Sequence, residues 1–309
     1  MLLVANGSVF TRNAQTPFIP NGAVAIDGDT IVEVGPECEL KAKYPDAEYV
    51  DAQGNLIMPG LINCHTHIYS GLARDLAIKG CNPTNFLENL EQQWWKIDDN
   101  LTLDGTKASA YATILDSIRD GVTTIFDHHA SFCEIPGSLF TIKDAAQELG
   151  MRSCLCYEVS DRRSQEKCDQ AIAENAEFAQ WAAKERRDND NHMIAAMPNV
   201  GWCEAMTMLF ENNAKMASKY FDRKLGVLEP GAAADVIVMD YKPFTPLSEE
   251  NIDGHMLFGM MGKNCRTTII NGRVLYKDRE FVGIDEDKIN AWTMAESKKL
   301  WSTLNDRAY

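Results

Sequence analysis

The sequence predicts an α/β fold in which the middle of the chain forms parallel βα units and the two ends combine into a small β-sandwich. Three observations carry this expectation. Both ends read as β-hairpins, the middle alternates short apolar runs with long helical patterns, and one of those runs closes on His65-Thr66-His67.

At the ends, "GAVAIDGDTIVEVG" places Asp27-Gly28 between two β-rich runs, and "RTTIINGRVLYKDREFV" does the same with Asn271-Gly272. Both dipeptides tolerate positive φ, so each predicts a two-residue hairpin turn. In "GVLEPGAAADVIVMD" a Pro230-Gly231 turn leads into a strand-like run from Asp235 to Asp240. An isolated hairpin is marginal in water, so residues 1–57 and 224–285 are expected to share one composite β-sandwich.

Within residues 58–223 the strand-like runs are "IMPGLINCH", "GVTTIFDHH", "MRSCLCYEV" and "HMIAAM". Ala108, Tyr111, Ile114, Leu115 and Ile118 predict a helix that stops at Gly121. The segment "SQEKCDQAIAENAEFAQWAAKERRD" predicts another, with Ile172, Ala176, Ala179 and Ala183 inward and Arg186-Arg187 in its last turn. A third, Glu204 to Tyr220, would carry Met206, Leu209, Phe210, Met216 and Ala217 inward. Residues 286–309 read as one last amphipathic helix.

The 309 residues carry 30 Lys+Arg against 45 Asp+Glu, a formal charge of -15, so a nucleic-acid backbone or an anionic membrane would be repelled. Neither is an expected partner; a small-molecule substrate is, with self-association left open. No run approaches the ~18 apolar residues of a membrane span. The opening "MLLVANGSVF" lacks a basic n-region and breaks at Asn6-Gly7, and nine scattered Cys show no zinc-ribbon spacing. A cytoplasmic protein with reduced thiols is expected.

His65 and His67 hold positions i and i+2 of one strand, so both project from the same face, while Cys64, Thr66 and Ile68 face the other way. Parallel βα proteins carry their sites at the carboxyl ends of strands, where this pair falls. Two imidazoles on one face can share a metal, or can be satisfied by backbone carbonyls; the spacing alone does not decide between them. His128 and His129 follow Asp127 on the same rim, and as neighbours only one of the two can face inward. His192 precedes a strand and His255 lies in the C-terminal β region, so neither is expected to be a ligand. Trp94-Trp95 could lid a flat heterocycle or pack an excursion helix, and Arg74-Asp75 could meet substrate or form a surface ion pair. Glu229-Pro230-Gly231 is a turn.

"MPGLINCHTHIYSGLARD", "DGVTTIFDHHAS" and "KLGVLEPGAAADVIVMDYKPFTPL" together closely resemble the amidohydrolase superfamily, in particular the SsnA-type aminohydrolases of its aminohydrolase and chlorohydrolase branch. The resemblance implies a fold class: α/β, an incomplete TIM-type (β/α) barrel flanked by the composite sandwich. It implies that His65 and His67 bind a divalent metal ion, zinc first and iron as the alternative. Asp127, His128 and His129 are then candidates for supporting the ligands or touching substrate. The implied reaction is hydrolysis of a carbon–nitrogen bond in an N-heterocycle or amidine-like compound by metal-activated water.

The family completes its metal site with histidines from a fifth and a sixth strand and an aspartate from an eighth, and no segment here matches them. At about 30 residues per unit of a ~250-residue barrel, residues 58–223 have room for five or six units. The family pattern breaks between Met197 and Pro198, which implies an internally deleted barrel. The alternative function is therefore a remnant without catalysis that self-associates or binds a partner.

Overall fold

In the computed structural model, residues 1–197, 213–242, 245–248, 252, 255 and 264–306 are described. The chain opens with β1 (Leu2–Phe10), β2 (Phe18–Asp27), β3 (Thr30–Pro36), α1 (Glu37–Lys43), β4 (Glu48–Asp51), β5 (Leu56–Pro59) and β6 (Leu61–Thr66). A 3-10 turn (Ile68–Ala73), α2 (Phe86–Asn89), a π-helical segment (Leu90–Trp94) and α3 (Trp95–Asp98) lead to α4 (Leu103–Arg119). Then follow β7 (Val122–His129), α5 (Ser138–Leu149), β8 (Arg152–Tyr157), α6 (Gln165–Asn189) and β9 (Ile194–Ala196). The last elements are α7 (Asn213–Phe221), β10 (Val236–Met239), β11 (Cys265–Ile270), β12 (Arg273–Lys277), β13 (Glu280–Phe281) and α8 (Glu286–Asp306).

Contacts divide the chain into two units, one of Met1–Asn63, Ser117–Thr124 and Trp202–Ile284, the other of Cys64–Asp116, Ile125–Gly201 and Asp285–Tyr309. In the first, the hairpins from both ends merge into a single nine-stranded sheet in the order β13-β12-β11-β10-β5-β1-β2-β3, with β4 on β1. β5 makes the join, parallel to β1 through Ser8↔Leu56 and antiparallel to β10 through Val236↔Pro59. Thr30 also bridges Ala233, so the sheet bends back and buries Val24, Ile26 and Ile31 in one cluster with Leu228, Ala234, Val236 and Ile269. Burying one face against its own return gives these strands the stability that separate hairpins lack.

The predicted turn at Asn271-Gly272 forms between paired Ile270 and Arg273, with φ of 49° and 76°. The N-terminal hairpin turns one residue later than expected, at Gly28-Asp29, because Asp27 still pairs with Thr30. The expected run "IMPGLINCH" is two strands. Gly60 breaks it by donating to Asp235 O (3.0 Å), and a side chain there would strike Thr123.

The second unit is built on a four-stranded sheet, β6-β7-β8-β9, with β8 and β9 parallel through Ser153↔Ile194. α4, α5 and α6 connect successive strands, the strand–helix alternation of βα units. Among the described residues this sheet is open, with β6 and β9 at its edges. α4 buries Ala108, Tyr111, Ile114, Leu115 and Ile118, as the helical pattern predicts.

α6 turns differently from its predicted face. It buries Ala171, Glu174, Phe178 and Ala182 and leaves Ile172 51% exposed. Alanine stripes on adjacent faces are nearly equivalent, and two larger residues break the tie. Phe178 packs edge-on to Phe140 (5.4 Å between centroids) and beside Trp181. The Glu174 carboxylate accepts from Gly137 N (2.7 Å) and Leu139 N (2.8 Å), satisfying amides at the start of α5. Of the helix predicted from Glu204, only α7 lies within the described residues; there Ala217 and Phe221 are buried. α8 belongs to the second unit, where Trp301 Nε1 donates to Leu72 O at 2.8 Å.

Candidate metal centre

His65 stands one residue before the end of β6, and His67 is the residue from which the 3-10 turn starts (φ -130°, ψ 81°). The turn is tied at once, because the His67 carbonyl accepts from Ser70 N (3.0 Å) and Ser70 Oγ (2.7 Å). The two rings lie perpendicular with centroids 4.7 Å apart, His65 exposed and His67 half-buried. The imidazoles come together although His67 itself lies beyond the strand, where the 3-10 turn begins.

β7 fixes this corner from the side. Asp127 Oδ1 accepts from Ile68 N at 2.6 Å and lies 3.0 Å from Thr66 Oγ1, which is also 3.0 Å from the Phe126 carbonyl oxygen, so the two acceptors share one hydroxyl proton. His67 Nδ1 is 3.0 Å from the His128 carbonyl oxygen. A carbonyl can only accept, so Nδ1 carries the proton and Nε2 keeps its lone pair.

The two neighbouring histidines of β7 separate. The His128 ring is half-buried, 5.8 Å from the His67 ring. His129 is fully buried between Tyr69 (6.5 Å) and Tyr157 (5.7 Å), and neither of its ring nitrogens has a hydrogen-bond partner among the described residues. Burial holds the His129 imidazole down to about 3 and raises the Asp127 carboxyl to about 7. Burial lowers His65 and His128 as well, His65 further through the positive charge that His67 would carry. Cys64, facing away from the pair, is raised to about 12 by burial and is an inert thiol.

The remaining histidines sit elsewhere. His192 pairs with Asp190 (2.8 Å) on the approach to β9, and His255 meets the Tyr241 hydroxyl (2.5 Å) in the first unit. Arg74 forms a surface pair with Asp116 at 2.6 Å. Glu229 accepts from Asn13 (2.6 Å) and pairs with Lys224, holding its turn. Trp94 packs with Leu72, Ile78, Ile97 and Leu101, and meets Tyr69 edge-on at 6.3 Å. Trp95 is covered by the guanidinium of Arg162, 5.1 Å from its ring centre.

Arg162 was not signalled by any motif. Its Nη2 meets Asp98 Oδ2 at 2.6 Å, its Nε meets Glu158 at 3.1 Å, and its guanidinium lies 4.0 Å above the Phe132 ring. The neighbouring Arg163 pairs with Asp99, so two Arg–Asp bridges strap the α3 excursion to the loop after β8. Burial raises Asp98 to about 7 against the pull of Arg162. Partners 64 residues apart leave no local spacing to read.

A divalent cation at this corner would need neutral nitrogen or anionic oxygen donors. Two imidazoles on one face, one with its tautomer set for coordination through Nε2, fit a share of such a site. Among the described residues no cluster of three or more His, Cys, Asp or Glu completes it.

Strand–helix units with a functional-site candidate at the carboxyl end of the first strand define a class, the βα scaffolds that carry their sites on the strand rim. The chain belongs to the amidohydrolase family, which residues 56–211 match; residues 22–47 match an imidazolonepropionase-like composite domain of bacteria. It is 29% identical over 188 residues to a 5'-deoxyadenosine deaminase of Methanococcoides burtonii, covering 59% of this chain and 39% of that protein. It is 27% identical over 154 residues to a 5-methylthioadenosine/S-adenosylhomocysteine deaminase of Pelotomaculum thermopropionicum, covering 50% and 33%. The matches thus span less than half the length of these curated relatives. The fold is similar to that of the zinc complex of atrazine chlorohydrolase TrzN from Arthrobacter aurescens TC1 (TM-score 0.65, 17% identity, 96% of this chain and 100% of that one). It is also similar to E. coli guanine deaminase (TM-score 0.62, 15% identity, 90% and 100%). No described helix is long and apolar enough to cross a membrane.

Proposed function

We propose that this chain is a cytoplasmic hydrolase of carbon–nitrogen bonds that uses a divalent cation held by His65 and His67, zinc first and iron as the alternative. Its substrate class is a small nitrogen heterocycle or amidine-like compound whose exocyclic amine is replaced by oxygen, with water consumed and ammonia released. The observation that carries the reading is the His65–His67 pair, 4.7 Å apart, with the second ring turned by a backbone carbonyl to offer Nε2. The relatives' deamination of adenosine-type compounds supports the substrate class.

A bound cation would supply Lewis acidity, bringing water at the site toward a pKa of ~7. The chain's own groups do the rest of the positioning. Partial burial, and the charge His67 would carry when protonated, bias His65 toward the neutral form that can coordinate. The His128 carbonyl holds the Nδ1 proton of His67. Tyr69 and Trp94 follow edge-on from the His67 ring, at 5.7 and 6.3 Å between centroids.

The missing third ligand among the described residues favours a second reading, a remnant without catalysis that self-associates or binds a partner. Metal analysis of the purified chain with ammonia release across adenosine-type nucleosides, purines, pyrimidines and triazines separates the two. Bound metal with ammonia release supports the hydrolase, neither removes it for this chain, and absent turnover with self-association on size exclusion supports the remnant.

A further inference from the structure

We infer that Asp127 is a positioning residue for the metal ligand His67. The inference rests on the reading of His65 and His67 as ligands and adds how one of them is aimed. The carboxylate does not touch the His67 ring. Its Oδ1 instead grips the chain on both sides of that residue, the Ile68 amide at 2.6 Å and the Thr66 hydroxyl at 3.0 Å.

Both grips are needed by the local chemistry. His67 sits where strand becomes 3-10 turn, with φ -130° and ψ 81°, outside both strand and helix. Its own amide and carbonyl follow no ladder, and the first amide of the turn, Ile68 N, lacks an intrahelical acceptor. Asp127 supplies that acceptor from a fully buried position, where the bond is shielded from water and its loss leaves an unmet donor. The next residue on β7 contributes its carbonyl to His67 Nδ1. Asp127-His128 therefore sets both where the His67 backbone runs and which ring nitrogen is free. A ligand placed through a supporting shell loses affinity when that shell is removed, commonly 10–100-fold.

The test uses the full chain with zinc as the only added ligand. Asp127→Ala is expected to lower zinc affinity at least ~10-fold, measured by competition with a chromophoric chelator. It should also replace the single Nδ1-protonated form of His67 with a mixture of tautomers in long-range 1H–15N spectra. Asp127→Asn keeps an acceptor oxygen and should restore affinity to within about threefold of the parent. Glu174→Gln alters another buried carboxylate that holds backbone amides but lies apart from His67, so it should lower stability and leave zinc affinity unchanged. If Asp127→Ala does not fold, Thr66→Val removes one of the two grips and should show a smaller loss in the same direction. Zinc affinity and tautomer unchanged in Asp127→Ala, or in Thr66→Val where that variant stands in, would overturn the inference. A parent that binds no zinc defeats the metal reading instead, and the tautomer spectra still decide whether Asp127 aims His67.

Discussion

His67 Nδ1 stands 3.0 Å from the carbonyl oxygen of His128, which leaves Nε2 of that ring as its open donor. His65 presents its ring 4.7 Å away from an exposed position. His65→Ala is thus expected to cost at least tenfold in zinc affinity while changing stability by no more than about 0.5 kcal/mol, as exposed substitutions do. Chelator competition beside a urea melt checks it; equal zinc affinity in parent and variant would remove His65 from the site.

The Asp98–Arg162 bridge carries a large energetic asymmetry, since Asp98 is 1% exposed and Arg162 is held between the rings of Trp95 and Phe132. Removing one partner strands the other charge, so Arg162→Ala should lose about 3–5 kcal/mol. Replacing both by apolar residues of similar size, Asp98→Leu with Arg162→Met, should recover at least half of that loss. Urea midpoints at constant m-value measure both, and additive losses in the double variant would contradict the pairing.

His129 makes stability depend on acid. Its imidazole titrates near 3 in the folded chain, from an ordinary 6.5, so protonation favours the unfolded state. Its contribution is complete above 6.5 and is lost progressively as the pH falls toward 3. Asp127, raised to about 7, has the opposite sign, its share being present below 3.8 and lost as the pH rises through 7. His129→Phe removes two unpartnered nitrogens and should flatten the acid side by up to a few kcal/mol. Circular dichroism from pH 7 to 4 in fixed urea would show it; an unchanged acid midpoint would mean that His129 is charged or hydrated in the folded state.

What the sequence made legible follows the range of the interactions. That the His65 and His67 rings would meet was readable because both lie in one short segment. The hairpin at Asn271-Gly272 was readable because positive φ at both turn residues is a property of the residues themselves. The face of α6 was not, because two alanine stripes compete until Phe178 meets Phe140 and Glu174 meets the start of α5. The strap between Asp98 and Arg162, and the hold of Asp127 on Ile68, join partners about 60 residues apart, and no spacing rule encodes them. Splitting "IMPGLINCH" at Gly60 depended on where Thr123 falls, a fact of packing rather than of local preference.

The joining of the two chain ends can be tested at a single atom. Gly272 has φ of +76°, donates to Ala234 O at 2.9 Å, and lies so close to the opposite hairpin that an added Cβ would strike the carbonyl oxygen of Gly28. Gly231 has a similar φ of +84° with nothing within 4 Å of the same hypothetical carbon. Both alanine substitutions carry the left-handed backbone cost, roughly 1–2 kcal/mol. Only Gly272→Ala adds a collision with backbone, which no rotamer change can relieve. The difference between the two variants therefore isolates turn-on-turn packing from conformational preference. Gly272→Ala should exceed Gly231→Ala by about 2 kcal/mol or more in urea unfolding, in the range of overpacked sites. Equal losses would mean that the C-terminal hairpin turn does not rest on the N-terminal one in solution.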